Sequence, residues 1–288
     1  MGRIKKGWQL TKKAWGVVRE NPGLVKLPIL GGVFALLATL LFVAPGAILI
    51  QAAENNNAAY VGGGLLIVVG GYLASFAVIY YNVALAAAAD LAFRGQPADT
   101  SAGIAVARQR RSVIAQWAAV ALIVSMIFNL IRDRGGIAGQ IAAGLGAAIW
   151  ALITFLIAPV LAFEGLGPAA AIKRSSSMFR EKWGQQITGN IAIGAVTGIA
   201  MLVAIAVGAA GGYILLTGST AAAAAGGGLL LLGIVGLVVA GVVSGAVRGV
   251  FGVALYRYIV EGEAVGPFSV DELEGSVKVK GGAQPAAI

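Results

Sequence analysis

Four ionisable side chains stand within or beside long apolar runs of this sequence, namely Asp90, Glu164, Arg248 and Arg257. Because a charge in hydrocarbon is costly, such residues mark either an ion pair between helices or a site for an ion or solute. The candidate intramembrane pair is Arg248 with Asp90 or Glu164. Arg248 lies at the membrane interface if the last apolar run begins near position 226, and in mid-membrane if it begins near position 236.

The residue types of this sequence give little support for catalytic chemistry. Cys and His are both absent from the 288 residues. Their absence removes thiolate nucleophiles, Cys/His zinc sites, axial haem histidines and imidazole bases. No HExxH motif, P-loop or Ser–His pair is present. The sequence therefore predicts a protein that is not an enzyme, with no catalytic residue, metal or cofactor.

The composition is that of a membrane protein. Hydrophobic residues make up 59% of the chain and charged residues only 11%, with a mean hydropathy of +0.88. A soluble domain has about a quarter of its residues charged, so this chain cannot cover a surface that faces water. An all-α protein with six transmembrane helices is predicted, because six apolar runs are long enough to cross a bilayer. The runs are residues 27–50, 58–89, 113–131, 135–163, 187–217 and 221–259.

The basic residues predict the orientation of the chain. They concentrate in the amino-terminal segment, in the links after the second and fourth runs, and in the tail, whereas the other side has only Arg132 and Arg134. By the positive-inside rule both termini are cytoplasmic. The net charge of +9 is then expected to meet anionic lipid head groups, not nucleic acid.

Three basic segments are predicted to be helices that lie in the head-group region, over residues 4–20, 99–112 and 168–184. In the first, Ile4, Trp8, Thr11, Trp15 and Val18 share one face at helical spacing, with lysines on its flanks. The predicted membrane-interface anchors are Trp8, Trp15, Lys5, Lys6, Lys12, Lys13, Trp117 and Trp183.

Gly followed by Pro ends each even-numbered run, at Gly95–Pro97, 165–168 and 262–267. These are either ordinary helix stops or the ends of three diverged repeats, each with a basic helix and two spans. In the last run Gly241, Gly245 and Gly249 form a small-residue ladder for helix packing, within the molecule or between copies. One membrane domain is predicted over residues 1–268, with a flexible cytoplasmic tail over 269–288.

Two stretches resemble a known family. They are the Gly-Trp-x-Leu-x-Lys-x-x-Trp opening at 7–15, and Ala254-Leu255-Tyr256-Arg257-Tyr258 followed by Gly-Pro-Phe at 266–268. Together they resemble a prokaryotic family of six-span membrane proteins of unknown function. The layout is more loosely similar to the membrane domain of some glycerophosphodiester phosphodiesterases. The resemblance implies a multi-pass protein of the prokaryotic plasma (inner) membrane and implies no activity.

Two hypotheses for function remain. The first is a lipid-interacting scaffold or accessory subunit, possible partners being anionic lipid head groups, another membrane protein or a second copy of the chain. The second is a small-solute or lipid transporter, which requires a polar path that involves Arg248 with Asp90 or Glu164. The sequence favours the scaffold, because basic helices are repeated and polar groups within the runs are few.

Overall fold

A computed structural model describes residues 3–54, 56–183, 189–218 and 220–277. Within these ranges the chain is helical and contains no β-strand. The helices are α1 (Arg3–Glu20), α2 (Gly23–Ala38), α3 (Ala44–Gln51), α4 (Asn57–Phe93), α5 (Thr100–Gln109), α6 (Arg111–Arg134), α7 (Gly136–Ile153), α8 (Ile157–Pro159), α9 (Pro168–Trp183), α10 (Gly189–Thr217), α11 (Thr220–Glu261) and α12 (Val270–Val277).

Six helical segments of the described chain are long and apolar enough to cross a membrane. At most 17% of the residues in the apolar window of each span are buried in the folded chain, and many Leu, Ile and Val are exposed. An apolar surface of this extent is not stable in water. The spans are Gly23–Gln51, Asn57–Phe93, Arg111–Arg134, Gly136–Ile153, Ala200–Thr217 and Ala222–Glu261.

The first span widens into a π-helix over Thr39–Val43, between α2 and α3. Pro45 explains its position, because proline has no N–H to donate and its ring clashes with the carbonyl one turn earlier. The amide of Ala44 donates instead to the carbonyl of Thr39, five residues back. Such π-turns are rare and often lie at functional sites.

The fourth span is shorter than the sequence predicts. The predicted run over 135–163 is interrupted after Ile153, and α8 and a second π-helix (Val160–Glu164) follow. Pro159 accounts for the break, since its ring excludes a regular helix through the preceding turn. The buried hydroxyl of Ser175 in α9 donates to the carbonyl of Ile153, which satisfies a group left free where α7 ends.

The chain divides into two compact units. One comprises residues 18–177, and its centre is the carboxyl-terminal part of α4, where every residue from 83 to 90 is buried. In this unit α4 packs on α2 and α3, on α5 and on α6, and α6 packs on α7. The many alanines of α4 allow close approach: a Cβ at Gly103 of α5 would lie 2.4 Å from the carbonyl oxygen of Ala84.

The other unit comprises residues 1–17 and 178–288. Its main feature is the hairpin of α10 and α11, whose backbones nearly touch at glycines. A Cβ at Gly211 would lie 2.3 Å from the amide nitrogen of Leu230, and a Cβ at Gly233 would lie 2.4 Å from the Cα of Gly208. Small residues at these positions permit the close packing by which helices associate in lipid.

The chain after the last span is ordered by a capping box. The hydroxyl of Ser269 accepts from the amide of Glu272, whose carboxylate accepts from the amide of Ser269. The helix α12 begins there, and buried Phe268 lies edge-on to the ring of Phe251 in α11. The Ser-x-x-Glu signal for this helix is present in the sequence, and the flexibility of the tail from Ser269 stays a prediction. Residues 278–288 lie outside the described ranges.

Candidate functional site

The amino-terminal helix α1 presents an exposed face of alternating aromatic and basic side chains. Trp8, Lys12, Trp15 and Arg19 recur at intervals of four and three residues and are all exposed; we call this set the tryptophan face. The exposed fractions of Trp8 and Trp15 are 42% and 39%. The ammonium of Lys12 lies 5.4 Å from the centroid of the Trp8 ring, within the range of a cation–π interaction.

The opposite face of α1 is buried, which the sequence analysis missed. Leu10, Ala14 and Val17 are buried, and Val18, predicted to lie with the tryptophans, is fully buried as well. The helix thus has one apolar side that is buried and one aromatic and basic side that is exposed. The spacing of Leu10, Ala14 and Val17 at i, i+4 and i+7 carried this signal.

Lys13 joins α1 to the segment that follows the last span, and its predicted role as an interface anchor stays a prediction. Its ammonium lies 2.6 Å from the carboxylate of Glu272 and donates to the carbonyl of Pro267 at 2.9 Å. Both contacts are within one unit. They place α1 beside the segment that precedes and begins α12.

The pH dependence of this contact follows from Glu272. Burial raises its pKa, but hydrogen bonds from Lys13 and from Ser269 outweigh it, so the pKa lies below its usual value of 4.5. Because the pKa of Glu272 is lower in the folded than in the unfolded protein, its ionised carboxylate stabilises the fold above pH 4.5. This stability is lost as the pH falls through the pKa of the folded state. We expect the thermal midpoint of the wild type to fall more steeply below pH 4.5 than that of Glu272→Gln. Parallel pH profiles of the two proteins, measured by thermal unfolding in detergent, would contradict this.

The other predicted anchors differ in their surroundings. Trp117 is 4% exposed and stacks on Trp150 of α7, with ring centroids 5.9 Å apart and planes 6° apart. Trp117 therefore packs the third and fourth spans together, and its role as a membrane-interface anchor stays a prediction. The side chains of Lys5, Lys6 and Trp183 lie outside the described residues.

The two carboxylates of the candidate polar pair each lie beside an arginine of their own unit. Asp90 is buried and accepts from Arg94 at 3.0 Å. Glu164 accepts from Nε of Arg174 at 3.0 and 3.1 Å through its two oxygens. Arg248 is exposed on α11. The pairing of Arg248 with Asp90 or Glu164 stays a prediction.

The π-helix over Val160–Glu164, which follows the fourth span and α8, ends in a compact polar corner. Gly165 adopts a left-handed φ of 63°, as Gly95 and Gly262 do after the other even-numbered spans. The guanidinium of Arg110 lies against Gly165, where a Cβ would come within 2.3 Å of its Nη1, and Nε donates to the carbonyl of Ala162 at 3.3 Å. A cation at a helix carboxyl terminus is favourable. Sequence analysis placed Arg110 only among the link's positive charges.

Gly241, the first residue of the glycine ladder in the last span, lies apart from the close helix contacts. A Cβ at Gly241 would meet no heavy atom within 4 Å in the described part of the chain. The backbones of α10 and α11 approach instead at Gly208, Gly211, Gly226 and Gly233. A packing role for Gly241, Gly245 and Gly249 therefore stays a prediction.

These features define a multi-pass helical membrane protein with an exposed aromatic and basic helix at its amino terminus. Residues 61–266 match the model of a family of unknown function, DUF6159, and the chain belongs to this family. The matched region includes the Ala254–Tyr258 motif and excludes the motif at 7–15. No curated protein and no solved structure matches the chain.

Proposed function

We propose that the protein is a non-enzymatic, lipid-interacting scaffold or accessory subunit of a membrane complex, and that the tryptophan face binds anionic lipid at the cytoplasmic surface. The observation that carries the proposal is the exposure of Trp8, Lys12, Trp15 and Arg19 on one side of α1. Indole rings favour the head-group level of a bilayer, and cations beside them attract anionic lipids. The buried opposite side of α1 holds this face outward.

The placement of both ends of the chain on one side of the membrane is part of the proposal. The ion pair of Lys13 with Glu272 supports it, because α1 precedes the first span and α12 follows the sixth. An even number of crossings returns the chain to its starting side. The excess of basic residues in these segments favours the cytoplasmic side of a prokaryotic plasma membrane.

We also propose three diverged repeats, each a basic helix followed by two spans. The order of elements supports this: α1, α5 and α9 each precede a pair of apolar segments. The left-handed glycines Gly95, Gly165 and Gly262 supply a second recurring feature, one in the segment that follows each even-numbered span. Recurrence of this kind is frequent in membrane proteins built by duplication.

A small-solute or lipid transporter is the alternative. It requires Arg248 to meet Asp90 or Glu164 along a polar path. The ion pairs of Asp90 with Arg94 and of Glu164 with Arg174 favour the scaffold, since both carboxylates already have a partner nearby. Uptake of labelled solute or lipid by reconstituted vesicles, abolished by Arg248→Ala, would favour the transporter instead.

The scaffold is tested by removing the charges of the tryptophan face. The full chain is placed in nanodiscs of phosphatidylcholine with phosphatidylglycerol, and bound anionic lipid is counted by native mass spectrometry. Since each basic residue near an anionic surface is worth about 1 kcal/mol, Lys12→Gln with Arg19→Gln is expected to weaken anionic-lipid binding by up to about thirtyfold. Lys13 is left intact because it contacts Glu272.

The matched control is Arg132→Gln with Arg134→Gln, two exposed arginines at the far end of α6. Because exposed Asp133 between these arginines offsets part of their charge, this control is expected to weaken the binding of phosphatidylglycerol much less than the first pair does. Equal loss in both pairs would show a general charge effect, and no loss in the first pair would refute the proposed site.

A further inference from the structure

The first and second spans enclose an apolar groove of about 460 Å³. Phe34, Leu37 and Leu41 line it from the first span, and Leu73, Phe76 and Tyr81 line it from α4. The volume falls in the range of about 300–1,000 Å³ that small-molecule sites occupy. All of these residues belong to one compact unit.

Aromatic contacts fix one wall of the groove. Phe34 stacks on Tyr81 with centroids 5.8 Å apart, Tyr81 meets Tyr80 edge-on at 5.4 Å, and Tyr80 lies 5.8 Å from Phe76. The Tyr80 hydroxyl donates to the carbonyl of Ile104 in α5 at 3.3 Å. Four rings held in this way form a surface with little freedom to collapse.

The other wall is shaped by the π-helix over Thr39–Val43. Leu41 and Phe42 of this segment line the groove, and Ala38 immediately precedes it. The wider turn of a π-helix spaces side chains differently from a regular helix, and Leu41 and Phe42 within this turn contribute to the wall. Pro45 holds the distortion in place.

We propose that this groove binds one acyl chain of a membrane phospholipid. Water does not fill an apolar cavity, because each water needs several polar partners. The mouth of the groove is formed by exposed residues of candidate membrane spans, including Phe34, Leu37 and Leu41, so lipid tails are the molecules that reach it. Since tails and side chains are equally apolar, binding comes from dispersion contacts with the fixed rings.

This site is separate from the tryptophan face, and it takes the lipid chain, not the charged head group. The experiment uses the wild-type full chain in vesicles of phosphatidylcholine that contain a trace of phosphatidylcholine with a diazirine in mid-chain. After photolysis, labelled peptides are mapped by mass spectrometry. We expect residues 34–42 and 73–81 to be labelled about fivefold more than the surface over 229–239, which is at least as exposed as these two segments together, as a preference near 1 kcal/mol would give. Equal labelling of these surfaces would overturn the proposal.

Filling the groove supplies the second measurement. Ala38→Phe and Ala77→Phe place a ring in the space, and Ala142→Phe adds the same ring at an exposed position of α7. Groove labelling is expected to fall by about fivefold in the filled variants and to persist in the control. Persistent labelling of the groove in a folded, filled variant would refute the site. Because phosphatidylcholine carries no net charge, either result leaves the anionic-lipid test of the tryptophan face independent.

Discussion

Replacing Trp117 with alanine is expected to lower the free energy of unfolding by about 3 kcal/mol, at the lower end of the range for buried tryptophan. The indole is 4% exposed and stacks on Trp150 at 5.9 Å, so its removal leaves a cavity between the third and fourth spans. The lower value is expected because lipid supplies no hydrophobic drive for helix association, which leaves dispersion contacts as the main loss. Unfolding by SDS in mixed micelles measures the change.

Trp15→Ala is the matched control for this substitution. Trp15 is 39% exposed in the tryptophan face, so its loss is expected to change the free energy of unfolding by no more than about 0.5 kcal/mol. The same variant should weaken binding of anionic lipid, whereas Trp117→Ala should not. Equal stability loss in the two variants would mean that Trp117 contributes nothing through its stack on Trp150.

Gly211→Ala is expected to destabilise the hairpin of α10 and α11 by about 2 kcal/mol or more, because the added methyl overpacks a backbone contact. The new Cβ would lie 2.3 Å from the amide nitrogen of Leu230 and 2.7 Å from the carbonyl oxygen of Gly226. These atoms are main chain, so no side-chain rotation relieves the clash and the helices must separate. Mixed-micelle unfolding again gives the magnitude.

Gly228→Ala on the partner helix α11 is expected to raise the stability of the protein, the opposite of the effect at Gly211. A Cβ at Gly228 would meet no heavy atom within 4 Å in the described part of the chain. Alanine is favoured over glycine within a helix by roughly 0.5–1 kcal/mol, so a small gain in stability is expected. A loss at Gly228 as large as that at Gly211 would show that helix flexibility, and not close approach, is the reason for glycine in this hairpin.

The number and positions of the apolar helices could be predicted from the sequence, because length and hydropathy are local properties of the chain. The fourth span shows what length and hydropathy do not predict. Its apolar composition continues to residue 163, but the helix is interrupted after Ile153. Pro159 in the sequence indicated this interruption, since proline disrupts the helical turn before it. Composition over a window of about 20 residues does not register a single missing hydrogen bond.

The candidate site was predicted in part. The sequence analysis listed Trp8, Lys12 and Trp15 among the membrane-interface anchors, together with Lys13 and Trp117, and these roles stay predictions. The Lys13 contact with Glu272 joins residues 259 positions apart, which no local pattern encodes. Trp117 has the same residue type and a similar basic neighbourhood as Trp15, and only the neighbouring helix α7 decides that it is buried.

The sequence by itself determined that this is a helical membrane protein with basic segments at the ends of its spans. The tertiary structure alone decided which side of each span meets protein, which glycines touch another backbone, and where the apolar groove opens. The physical reason is the solvent. In water, polar and apolar faces alternate and reveal the buried side of a helix. In lipid both sides of a span are apolar, so the hydropathy pattern no longer distinguishes the buried side. Helix packing determines which side is buried.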